Sequence, residues 1–91
     1  MIRAVKVIIV GRVQQVGYRH WTDRHAREMG LDGWVRNLQD GSVEALFSGS
    51  AEKVKNMIEL CFEGPKLAKV IDITASPTSP PAETGFIQYR N

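Results

Sequence analysis

The chain has 91 residues, 43 % hydrophobic and 24 % charged, an ordinary composition for one soluble globular domain, with no room for a second. Its net charge of +2 comes from twelve basic residues scattered among ten acidic ones, too weak a signal for a nucleic-acid partner but compatible with a small anionic ligand. No stretch approaches the ~20 apolar residues of a membrane span, Gly11-Arg12 offers no signal-peptide cleavage site, and Cys61 has no disulfide partner within the chain, so a single cytoplasmic domain over residues 1–91 is expected.

Val5 to Val10 is almost continuously apolar and β-branched, and Gly11 punctuates its end, which predicts a central strand. After the loop, "RHWTDRHAREMG" is helical, with Tyr18, Thr22, Ala26 and Met29 on one face and Gly30 as a left-handed stop. Asp23 with Arg27 and Arg24 with Glu28 are spaced as helix ion pairs. Alternating runs, Trp34 to Leu38 and Ser42 to Phe47, meet at Asp40-Gly41, a strong hairpin signal. Ser50 then caps a helix whose stripe is Val54, Met57, Ile58 and Cys61, and Gly64-Pro65 ends it. "AKVIDITAS" predicts a strand with Ile71, Ile73 and Ala75 on one side, followed by a proline-rich loop and a last short strand in "GFIQYR".

Two helices cannot cover both faces of a four-stranded sheet, so the expected fold is α+β, a ferredoxin-like βαββαβ sandwich. It has an antiparallel sheet with both helices on one face, the first and third strands at its centre, and an extra short C-terminal strand.

The stretch "GRVQQVGYR", residues 11 to 19, joins the first strand to the first helix. A P-loop needs lysine and then serine or threonine after its second glycine, but Tyr18 and Arg19 follow Gly17. A cysteine-dependent phosphatase loop has its nucleophile six positions before the arginine, and Val13 stands there. The spacing suits a cradle of backbone amides at a helix N-terminus, with Arg19 closing the ring by its planar fork. Such a site binds a phosphoryl group and takes its nucleophile from water. Asn37, on the strand face opposite Trp34 and Arg36, offers both an acceptor and a donor to orient it. A carboxamide is no general base near neutral pH, so the pair suits a phosphoryl compound with a good leaving group, as acyl phosphates have.

Together, "GRVQQVGYR", "GLDGWVRN", "DGSVEALFSG" and "CFEGPKLAKV" resemble the acylphosphatase family, with its segments GRVQGVxFR, GLxGWVRN, DGxVE and GPxxAxV, from about Val7 to Val70. The resemblance implies the ferredoxin-like fold and hydrolysis of the carboxyl-phosphate bond without metal or cofactor. It puts the phosphate-binding arginine at Arg19, the water-orienting asparagine at Asn37, and the phosphate-holding amides on the loop Gln15, Val16, Gly17, Tyr18 and Arg19. The implied partners are a small-molecule acyl phosphate and inorganic phosphate as product and inhibitor, with neither nucleic acid nor membrane, and the expected state is a monomer.

Two residues depart from the pattern. Tyr18 replaces phenylalanine and keeps the aromatic body, its hydroxyl needing a polar exit. Gln15 replaces glycine, and if that position takes a positive φ, glutamine costs roughly 1 kcal/mol or more and tilts the cradle amides. The alternative reading is therefore a phosphate-binding module with weak or no catalysis because of Gln15. An RNA-binding βαββαβ domain is disfavoured, because the first strand carries no aromatic residues to stack bases. His20 and His25 lack the i, i+4 spacing of a helical metal pair, and Arg3, Arg12 and Arg36 read as solvated strand charges.

Overall fold

The structure, a computed structural model, describes residues 1–90. Its elements are β1 (Ile2–Arg12), α1 (Tyr18–Glu28), β2 (Asp32–Asn37), β3 (Val43–Ser50), α2 (Ala51–Glu63), β4 (Lys69–Pro77) and β5 (Phe86–Gln88). The strands form one sheet in the order β4-β1-β3-β2-β5, with β1 and β3 inside it. Alternation along β1 turns Val5, Val7 and Ile9 to one face, where they meet Val35, Val43, Ala45 and Phe47 of the neighbouring strands. Val54, Met57 and Cys61 of α2 and Ala26 of α1 close the same core, so both helices cover one face.

The local signals act as their chemistry dictates. Ser50 caps α2 by accepting a hydrogen bond from the Lys53 amide at 3.3 Å, and Gly64, at φ 65°, ends that helix. Asp23 pairs with Arg27 at 2.9 Å, whereas the expected Arg24–Glu28 pair does not form and His25 approaches Glu28 instead, at 3.9 Å. Arg36 is not simply solvated. It lies over the Trp34 ring at 5.1 Å and pairs at 2.6 Å with the buried Glu44, which also faces Lys6.

Two features correct the sequence reading. The sheet is mixed rather than wholly antiparallel, because residues 78–85 carry the chain from one edge to the other and lay β5 parallel to β2. On β4, Ile71 is 75 % exposed and Ala75 is exposed too, while Val70 and Ile73 pack on the core. At Ile71 the cause is a bulge in β4: Val10 pairs with Asp72 and Gly11 with Val70, so Ile71 is the extra residue and the alternation shifts there, whereas Ala75 keeps the face of Ile73, opposite Val7. Gly11 is required there: at φ 141°, a Cβ would stand 2.1 Å from the Lys69 carbonyl oxygen.

Candidate active site

β1 stays paired with β4 past the bulge, through Gly11↔Val70 and Arg12↔Lys69, and residues 13–17 then cross to the start of α1. Val13 is buried beneath this loop, and Gln15, at φ 62°, is the one non-glycine residue with positive φ among those described. Its side chain is exposed, so the backbone adopts the glycine-like turn while the amide group points out of the core. Gly17, at φ 80°, is the N-cap of α1 and contributes no capping side chain, and the first turn holds no acidic residue. Among the described residues, no backbone carbonyl accepts from the N–H groups of Gln15 through His20; the helical ladder starts with Trp21 N–H donating to the Gly17 carbonyl at 2.9 Å. An uncapped helix N-terminus of this kind concentrates positive potential.

These amides border a small pocket lined by Val13, Gln15, Gly17, Tyr18, Arg19, His20, Asn37 and Gln88. Its volume of about 120 Å³ equals that of about four waters, room for a compact anion and not for a nucleotide. The lining has no carboxylate, serine, threonine or cysteine, so Arg19 gives it positive charge and His20 is its one exposed side chain with nucleophilic character. Among the described residues, no three His, Cys, Asp or Glu side chains stand together to share a metal ion.

Arg19 sits in the first turn of α1, where Nη1 donates to the Tyr89 carbonyl at 2.5 Å. That carbonyl is itself anchored, since the Tyr89 amide donates to Val35 of β2 at 2.9 Å. The C-terminal segment thus braces one edge of the guanidinium fork. A wider open groove adjoins Arg19, between α1 and β5, but there Arg27 is occupied by Asp23 and by the Phe86 carbonyl at 2.8 Å.

Asn37 ends β2 opposite Val43, and its Oδ1 is buried with no hydrogen-bond partner in the protein among the described residues. A buried acceptor left open is costly unless something donates to it. The turn that follows is tied by Asp40, which accepts from both the Ser42 hydroxyl and the Ser42 amide; these bonds, the hydroxyl's first, hold the Asp40 carboxyl below its usual range. From the cradle loop, Gln14 reaches this turn and donates to the Leu38 and Ser42 carbonyls.

Of the residues expected at the site, Gln15, Gly17, Tyr18, Arg19 and Asn37 line the pocket together, and His20 lies at its rim. Val16 instead packs its side chain against the core. Tyr18 corrects the expectation of a polar exit: it is 1 % exposed, and its hydroxyl donates to the Cys61 carbonyl at 2.6 Å, in the last turn of α2. Burial first, and then the neighbouring Cys61, raises its pKa. Burial likewise pushes the Cys61 thiol up to about 12. Gln14 and Gln88 were not singled out from sequence. Gln88 reaches the pocket through the parallel β5 pairing, which leaves no local signal, and Gln14 differs from its neighbour Gln15 only in where the loop directs it.

The ferredoxin-like α+β fold hosts many unrelated activities, so the class of this protein is read from its site, a small positively charged pocket between the first strand and the first helix that suits a compact anion. The Acylphosphatase family model matches residues 5–87. A protein named Acylphosphatase from Acidiphilium cryptum is 47 % identical over 85 residues, covering 93 % of each chain. Another of that name from Nitrobacter winogradskyi is 55 % identical over 74 residues, covering 81 % of this chain and 75 % of its own. The crystal structure of acylphosphatase from Bacillus subtilis superposes with a TM-score of 0.92 at 32 % identity, over 99 % of this chain and 100 % of that one. The chain belongs to the acylphosphatase family. It is an enzyme of that family, whose fold and relatives support hydrolysis of small-molecule acyl phosphates.

Proposed function

We propose that the amides of Gln15, Val16, Gly17, Tyr18 and Arg19, with the Arg19 guanidinium, hold the phosphoryl group while Asn37 positions the attacking water. The observation that carries this reading is Asn37 Oδ1, a buried acceptor with no partner among the described residues, in the same pocket as Arg19. A water donating to that oxygen is oriented with a lone pair toward phosphorus. As its O–P bond forms, the P–O bond to the acyl group breaks and the carboxylate leaves with the bonding pair. The water's proton passes to solvent or to a phosphate oxygen. A carboxylate is too weakly basic to need a general acid, and the site offers none near the cradle except His20 at its rim. Charge growing on the phosphoryl oxygens meets preorganised N–H groups, the main source of rate in such a transfer.

No covalent intermediate forms, no cofactor takes part, and inorganic phosphate inhibits because it occupies the same cradle. No helix among the described residues is long and apolar enough to cross a membrane, and the lone buried thiol fits a reducing compartment such as the cytoplasm. The test is benzoyl phosphate turnover. Asn37→Ala is expected to lower kcat by about 10²-fold, the scale of lost positioning, with phosphate inhibition nearly intact. Full activity in that variant overturns the role given to Asn37.

Gln15 favours a second reading. Its φ of 62° stores about 1 kcal/mol of strain in the cradle, and a phosphate-binding module without useful turnover would have the same pocket. Phosphate binding by titration with no benzoyl phosphate hydrolysis is the result that selects it.

A further inference from the structure

Two hydrogen bonds join the loop after β1 to the hairpin that carries Asn37, and one side-chain amide makes both. Gln14 Nε2 donates to the Leu38 carbonyl at 2.7 Å and to the Ser42 carbonyl at 2.9 Å. These carbonyls stand at the neck of the β2–β3 turn, where Leu38 N–H donates to Ser42 O at 2.9 Å and Gly41 N–H to Leu38 O at 3.3 Å. The turn is tied within itself by those bonds and by Asp40. Gln14 ties it to the cradle.

The residue type follows from the task. A primary amide has two N–H bonds on one nitrogen, and both are spent here on two converging carbonyl oxygens. A glutamate has no donor when ionised, and a methionine of similar length has none at all. Gln14 is only partly exposed, so water competes weakly for these carbonyls. It does not line the phosphate-sized pocket. It borders a separate depression with Asn37, Leu38 and Gln39, and Asn37 lines both hollows. Asn37 immediately precedes the Leu38 carbonyl that Gln14 holds, so a slack bond at Leu38 displaces Asn37 relative to Arg19.

We infer that Gln14 is a positioning residue for acyl phosphate hydrolysis, fixing Asn37 at its working distance from the cradle. This rests on the reading of Asn37 as the residue that holds the water. Phosphate itself is held by the amides from Gln15 onward and by Arg19, and the Gln14 side chain bonds to neither of these but to the Leu38 and Ser42 carbonyls. Its loss therefore separates turnover from phosphate binding. A misplacement on the order of 1 Å costs as much as 10²-fold in such geometry, and a partial shift correspondingly less.

The experiment is a double-mutant cycle on benzoyl phosphate with Gln14→Met and Asn37→Ala, measuring kcat and inhibition by inorganic phosphate. Gln14→Met is expected to lower kcat by about tenfold or more, to leave phosphate inhibition within about twofold, and to slow the Asn37→Ala enzyme by less than about twofold. Equal slowing in the two backgrounds, or a parallel loss of kcat and phosphate inhibition, overturns the inference. Should Gln14→Met fail to fold, Gln14→Glu carries the test through its pH profile. Its carboxylate faces two carbonyls when ionised and gains one donor when protonated, so its rate relative to the unsubstituted enzyme is expected to climb as pH falls into the carboxyl range. A flat ratio overturns the inference as well. Asn37→Ala with an undiminished rate removes the reading of Asn37 itself, whereas additivity with a slow Asn37→Ala removes only the role of Gln14.

Discussion

The two helices of this fold begin in opposite ways. At α2, Ser50 accepts from the Lys53 amide and Glu52 puts a carboxylate in the first turn, so the helix satisfies its own N-terminus. At α1, Gly17 brings no side chain, its first turn holds no acid, and among the described residues the donors from Gln15 to His20 find no backbone acceptor. One helix start is built for stability and the other is left open at a cost. The contrast sets the proposed phosphate cradle where a rule of good capping is broken.

The sharpest way to break this comparison is at Arg19. Arg19→Ala is expected to abolish both turnover and phosphate inhibition. Arg19→Lys should also fail badly, because a point charge cannot replace a fork braced on the Tyr89 carbonyl. A lysine variant with near-normal rates would show that charge alone suffices. Next, Gly17→Asp gives α1 the acid that α2 already has. Phosphate inhibition should weaken by at least about tenfold, since a fixed carboxylate competes for the same dipole. Unchanged inhibition, measured by titration against benzoyl phosphate turnover, would place the phosphate elsewhere.

Two smaller effects sharpen the contrast. Gln15→Gly relieves the left-handed strain at φ 62° and should stabilise the fold by at most about 0.5 kcal/mol after the extra backbone entropy of glycine is counted. Urea unfolding measures this, and an equal turnover rate in the same variant shows that residue 15 tolerates a side chain. Ser50→Ala should cost about 0.5–1 kcal/mol in the same measurement and leave kcat unchanged. A kcat loss there would mean that the two helix ends are not independent.

Much of this was legible because the signals are local. Asp40-Gly41, Ser50 and Gly64-Pro65 each act within a few residues of themselves, so the hairpin and α2 follow from short-range chemistry. Arg19 and Asn37 were readable as a pair through the spacing of the family segments. What escaped depends on distant partners. The outward turn of Ile71 follows from a bulge in β4 against Val10 and Gly11 of β1, and Gln88 reaches the pocket only because β5 crosses to the far edge. Gln14 shows no sequence mark of its role, since its partners lie 24 and 28 residues away. The buried hydroxyl of Tyr18 likewise depends on the end of another helix.

That last contact makes the protein its own reporter. Cys61 is the only cysteine, is fully buried, and has its thiolate suppressed by a pKa near about 12, so an alkylating reagent has nothing to attack while Tyr18 stays docked on the Cys61 carbonyl. The rate of thiol alkylation in native buffer therefore clocks the opening of the seam between α2 and the start of α1. Phosphate that closes the cradle should slow that clock by mass action, with no probe added to the chain.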